Sequence, residues 1–119
     1  MRYILALCIL VAAVPVSAAT LSWTDNATNE MGFEVERQAA ACTAPDAFAK
    51  VGDVGANVKT FVDPGPLTEG QSYCWRIRAW NTVDGTPTGA RQFSAYSNKA
   101  GMTVPFALPA APSQLGVTP

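Results

Sequence analysis

Histidine is absent from all 119 residues, which removes the Ser-His-Asp and Cys-His nucleophile arrangements and every His-ligated metal site. Charge is scarce too: 14% of residues are Asp, Glu, Lys or Arg, against about a quarter in an average soluble domain. The few Lys and Arg residues form no cluster. The electrostatic contribution that dominates nucleic-acid affinity is therefore missing, and neither nucleic acid nor an anionic membrane surface is an expected partner. No stretch of about 11 residues keeps a 3.6-residue apolar period, so amphipathic helices are not expected either.

Much of the 49% hydrophobic content is concentrated at the N-terminus. Arg2 precedes the apolar run Tyr3 to Val14, which breaks at Pro15 and reaches the small residues of Val16-Ser17-Ala18. This is the pattern of a cleaved secretory leader over residues 1–18. The run is shorter than the ~20 residues a membrane-spanning helix needs, so no membrane insertion is expected once the leader is removed. A lipid anchor on Cys8 is disfavoured because Leu7 stands where a small residue is wanted. The expected location is secreted, either extracellular or periplasmic. Loss of Arg2 with the leader leaves seven Lys plus Arg against nine Asp plus Glu, a net charge of −2.

Export also takes the cysteine count from three to two, Cys42 and Cys74. An even pair in an oxidising compartment is read first as a disulfide, with two free thiols as the alternative. Closing a loop of this length stabilises a fold by roughly 3 to 4 kcal/mol on the chain-entropy estimate.

Beyond the leader the sequence is short apolar alternation punctuated by Gly, Pro, Asn and Asp, which predicts an all-β domain over residues 19–104. Leu21 and Trp23 share one face of a first strand, and Phe33 and Val35 alternate with Glu34 and Glu36 in a second. Phe48 to Val54 and Thr60 to Val62 are short candidate strands, the latter ended by Asp63-Pro64-Gly65-Pro66. The strongest strand is Tyr73 to Trp80. It puts Tyr73, Trp75, Ile77 and Ala79 on one face and Cys74, Arg76, Arg78 and Trp80 on the other. Residues 81–92 read as loop, and strand-like sequence resumes over Phe93 to Val104. The expected core is Trp23, Phe33, Val35, Phe61, Leu67, Tyr73, Trp75 and Ile77, with Trp80 largely exposed.

Three segments together resemble a fibronectin type III domain over about residues 20 to 104. LSWTDNATNEMGFEVER looks like the family's B and C strands with Trp23 as the buried Trp. LTEGQSYCWRIRAWN, with Leu67 six positions before Tyr73, looks like the turn and F strand bearing the tyrosine corner, and SAYSN at 94–98 looks like the opening of strand G. The resemblance implies an immunoglobulin-like antiparallel β-sandwich, with two sheets covering each other's apolar faces and a corner Tyr whose hydroxyl satisfies the turn backbone. Two departures stand out. The loop between F and G is long, and no strand A precedes Leu21. Instead PAAPSQLGVTP, in the Pro-rich tail 105–119, is similar to the entry and strand A of a following repeat. The segment Ser113 to Val117 could return to the uncovered edge of its own molecule, add to a neighbour, or form part of a linker.

The resemblance implies a non-catalytic module for protein or carbohydrate binding, or a spacer. A structural subunit that self-associates by C-terminal strand donation is the alternative. No enzyme activity, cofactor or metal is expected. Glu34 and Glu36 are expected on an exposed face, pairing with Arg76 or Arg78 across adjacent strands rather than acting as paired catalytic carboxylates. Asp25, Asn26, Asn29 and Glu30 lack the alternation of a calcium loop and are read as turn residues. Asn26-Ala27-Thr28 is a glycosylation acceptor in a host that glycosylates on export. Trp80 shares a face with Arg76 and Arg78, where guanidinium groups can stack on the indole. That residue, with Phe93 and Tyr96, is the candidate aromatic anchor for a partner, and Asp84 and Arg91 in the adjoining loop complete the candidate surface. The Arg-Gly-Asp attachment sequence is absent from that loop.

Overall fold

The computed structural model describes residues 18–119, so the leader expected over 1–18 lies outside the described residues apart from Ala18. The described residues contain no helix and seven strands: β1 (Ala19–Ser22), β2 (Gly32–Gln38), β3 (Ala49–Gly55), β4 (Thr60–Asp63), β5 (Ser72–Thr82), β6 (Arg91–Phe93) and β7 (Ala100–Thr103). β1 and β4 make a two-stranded antiparallel sheet. The other sheet is five-stranded and antiparallel. β2 sits between β3 and β5, and β6 and β7 follow one another along the far edge of β5.

The alternation of β5 is what joins the two sheets. Tyr73 and Trp75 are buried and Ile77 packs against them, forming one cluster with Val35 of β2, Leu67, Val104 and, from the two-stranded sheet, Ala19, Leu21 and Phe61. Phe61 lies so close over Gly52 that a Cβ there would meet its ring. Of the expected core, Val35, Phe61, Leu67, Tyr73, Trp75 and Ile77 meet in this cluster, whereas Trp23, expected as the buried Trp, and Phe33 lie outside it. Trp23, Phe61 and Ile77 are half-buried, and Phe33 is buried outside the main cluster, its ring centroid 5.5 Å from that of Trp23. At the corner between sheets the Thr68 N–H donates to the Tyr73 hydroxyl at 2.9 Å.

A charged group completes this interior. Asp63, 1% exposed at the end of β4, accepts from Arg37 at 2.8 Å, Trp75 Nε1 at 2.9 Å and the Gly65 N–H at 2.9 Å. Arg37 and Trp75 belong to the five-stranded sheet, so a carboxylate fastens the two sheets together. Burial alone would raise the Asp63 pKa, but the donors from Trp75, Gly65 and Arg37 outweigh it and hold the carboxyl below its ordinary value.

Two strand boundaries depart from expectation. β5 continues to Thr82 and β6 begins at Arg91, so the stretch read as loop over 81–92 contracts to 83–90, closed by a Val83 N–H bond to the Ala90 carbonyl at 2.9 Å. The single strand read over Phe93 to Val104 is split into β6 and β7. The tail is anchored only at its start. Val104 is buried, Phe106 lies over Gly70, and the Ala107 N–H donates to Glu69 at 3.2 Å. Residues 105–119 form no strand, and Leu115 and Val117 are fully exposed, so the tail does not return to the edge of its own β1.

Candidate functional site

The outer face of the five-stranded sheet is built from β5 residues Cys74, Arg76, Arg78 and Trp80 and from the residues opposite them. Cross-strand partners share a face, so Gln38, Glu36, Glu34 and Gly32 of β2 lie beside those four, with Phe93 of β6 beside Trp80. Arg76 donates to Glu36 at 2.8 Å and Arg78 to Glu34 at 3.1 Å, the expected cross-strand pairs.

Glu34 and Glu36 are nevertheless buried, not exposed. The cause is the convergence of long side chains from other elements. Lys50 of β3 (3.4 Å) and Arg91 of β6 (3.2 Å) also reach Glu34, and the Tyr96 hydroxyl donates to Glu36 at 3.0 Å. Asp53 extends the network, pairing with Lys50 and with Arg91, and those contacts outweigh burial in holding its pKa below the ordinary value. Burial and the Glu36 carboxylate push the Tyr96 pKa up.

Aromatic rings interleave with these cations. The Arg76 guanidinium lies 4.2 Å from the Phe48 ring centroid and 3.7 Å from that of Tyr96, and Arg78 lies 3.6 Å from Phe93 and 4.9 Å from Tyr96. The order Phe48, Arg76, Tyr96, Arg78, Phe93 is a continuous ladder. Tyr96 reaches it because residues 94–98 leave the regular β pairing without losing its hydrogen bonds. The Ser94 and Ser97 hydroxyls accept from the Ala79 and Ile77 N–H groups at 2.9 and 3.0 Å, while the Ser94 and Ser97 N–H groups donate to the Ala79 and Ile77 carbonyls. The hydroxyls stand in for strand carbonyls.

Trp80 is half-buried, which corrects the expectation that it is largely exposed. Opposite it stands Gly32, whose missing side chain lets the indole lie against the β2 backbone; a Cβ on Gly32 would meet Trp80 Nε1 at 2.9 Å. The Arg91 guanidinium covers the ring 3.7 Å from its centroid. Of the five residues singled out in the sequence, Trp80, Arg91, Phe93 and Tyr96 thus meet on one face. Asp84 does not join them. Its carboxylate accepts from the Thr86 N–H and hydroxyl at 3.0 and 2.9 Å within the hairpin tip, and these bonds lower its pKa.

At the other end of this face Cys42 and Cys74 form a disulfide with Cα atoms 5.1 Å apart. Buried Gln38, opposite Cys74, shapes the loop that carries Cys42 by donating to the Ala41 carbonyl and accepting from the Ala47 N–H. Gly101 leaves room for the bridge, since a Cβ there would meet Cys42 Sγ at 2.9 Å. The acidic cluster at 25–30 is dispersed into separate bonds, one local and two to distant segments. Asp25 accepts from the Ala27 N–H, Glu30 from the Asn57 N–H, and the Asn29 carbonyl from the Asn81 amide. Sequence reasoning missed Asp63, Phe48, Lys50, Asp53, Ser94 and Ser97. Only the Ser-x-x-Ser spacing left a local trace. Comparison of the chain with protein-family models, curated proteins and solved structures finds no match.

Proposed function

We propose that this protein is an exported, non-catalytic module of fibronectin type III-like sandwich architecture that uses the ladder face to dock a protein partner. The architectural reading is supported by the core shared between the two sheets and by the Tyr73 to Thr68 corner bond. Export is supported by the leader pattern and fits the disulfide. The observation that carries the functional reading is that Phe93 and Tyr96 keep 41% and 37% of their surface exposed within a face whose cations are already paired and stacked. Such a face is pre-organised, so docking would immobilise few further side chains. A protein fits better than a sugar, because guanidinium groups already occupy the ring surfaces on which a sugar would stack.

A photo-crosslinking residue placed at Phe93 tests this in the secreted milieu of the source cells. Position Val62, exposed on the other sheet, is the control. A discrete protein adduct formed from position 93 and not from position 62 is expected. Equal labelling from both positions, or none from 93, overturns the reading.

A further inference from the structure

The two sheets gape beside the ladder, whose Arg76, Arg78 and Tyr96 help to line the opening. A cleft of about 800 Å3 opens between β1 and β5, lined by Leu21, Trp23, Phe33, Trp75, Ile77 and Ala79 and walled by residues 94–98. The Trp23 N–H donates to the Lys59 carbonyl at 3.0 Å. By the alternation of an antiparallel ladder, the backbone groups of Thr20 and Ser22 then face outward. That outer edge of β1 has no partner among the described residues, and unpaired strand edges are templates for strand addition.

The tail has the complementary properties. Residues 105–119 carry no charged side chain, and the charges of Arg76 and Arg78 beside the cleft are already taken by Glu36 and Glu34. Leu115 and Val117 have strand spacing, are fully exposed, and lie in a stretch free of proline from Ser113 to Thr118. Five residues, Ser113 to Val117, match the five from Ala19 to Trp23, an edge of about 17 Å at about 3.4 Å per residue. Gln114, at φ 56° in the free tail, would turn into the extended region on pairing.

Direction decides which molecule receives the segment. Ala19 pairs with Asp63, so β1 begins beside the loop 64–71, where Val104 bonds Gly70 and the tail departs. An antiparallel partner must enter β1 from the Trp23 end. The molecule's own tail emerges at the wrong end, whereas the tail of a copy stacked beyond the Trp23 end arrives correctly. Residues 105–112 supply about 25 Å of reach at about 3.1 Å per residue. We infer that Ser113–Val117 of one copy adds as an antiparallel strand to β1 of the next, with Leu115 and Val117 in the cleft. The acceptor's own tail then leaves at its far end, so the contact is head-to-tail and open-ended.

The mature chain, from Ala19 onward, should sediment as a concentration-dependent series of oligomers. Leu115→Asp disables the tail, and Thr20→Pro removes an outward-facing N–H from the edge. Each variant alone should be monomeric, and an equimolar mixture should give a dimer and nothing larger, because one intact tail meets one intact edge. A labelled peptide of residues 111–119 should also bind saturably to a chain ending at Ala110, a measurement that does not depend on the Thr20→Pro variant folding. A wild-type monomer up to about 1 mM, the weak end of useful affinity, overturns the inference. So does a mixture without dimer, a closed wild-type dimer, no peptide binding, or a monomer destabilised by loss of residues 111–119, a cut that spares the Phe106 and Ala107 contacts and would mean that the tail serves its own edge.

Discussion

The two faces of β5 bury their side chains by opposite means. On the inner face Tyr73 and Trp75 are closed over by apolar groups from both sheets, and Asp63 is the one carboxylate among them. On the outer face Glu34 and Glu36 reach comparable burial beneath arginine, lysine and tyrosine side chains. Removing apolar area from water is favourable almost regardless of arrangement. A buried ion pair is near neutral in net terms and becomes costly when one member is lost. The inner face should therefore supply stability, while the outer face supplies a fixed geometry.

The sharpest way to break the contrast is on the inner face. Trp75→Ala removes a buried aromatic and leaves Asp63 without its indole donor, and should cost about 3 to 5 kcal/mol in chemical denaturation. Substitution of both Cys42 and Cys74 by alanine opens a loop with sequence separation 32 and should cost roughly 3 to 4 kcal/mol. If the outer face chiefly fixes geometry, this variant should also lose ordered packing at Phe48, which side-chain nuclear magnetic resonance would read.

Acid sharpens the comparison from the other direction. The folded-state pKa of Asp63 is lowered from 3.8. Its contribution is therefore fully present above the unfolded-state value and is lost as pH falls through 3.8 towards the depressed folded value. Denaturation midpoints measured down that range should fall for the wild type and fall less for Asp63→Asn, whose stability starts lower. Parallel pH profiles for the two proteins would remove Asp63 from its role between the sheets.

The face assignment of β5 was legible because period-two alternation is local, and the Glu34 and Glu36 pairing with Arg78 and Arg76 followed once two adjacent strands were recognised. What covers those carboxylates was not legible, because Lys50, Arg91 and Tyr96 arrive from elements whose order along the sheet the local pattern does not encode. Trp80 was misjudged for the same reason. Its burial depends on Gly32 having no side chain at the opposing position. Asp63 sat in a Pro-Gly turn signature that explained it completely at the local level, which hid its partners on the other sheet. Within the candidate site, Trp80, Phe93 and Tyr96 were found as aromatics beside the outward arginines, whereas Asp84 and Arg91 were included only for their place in the adjoining loop, where Asp84 serves the turn and Arg91 reaches the face.

The smallest expected effect separates charge from shape on the outer face. Arg91 reaches Glu34 and Asp53 through Nη1 while its guanidinium plane covers Trp80 at 3.7 Å. Arg91→Lys keeps the positive charge and loses the planar group. If geometry is what Arg91 contributes, stability should fall by no more than about 1 kcal/mol, the size of a cation–π contact at a partly exposed site. Trp80 should nevertheless become more accessible, seen as a red shift and stronger acrylamide quenching of its fluorescence in a background where Trp23 is replaced by phenylalanine. Arg91→Met keeps a long apolar stem over the indole without the charge. It should protect Trp80 better than lysine does while leaving Glu34 with one cation fewer. Lysine and methionine variants with identical quenching would mean that neither the plane nor the stem shields the ring, and that Gly32 alone sets the burial of Trp80.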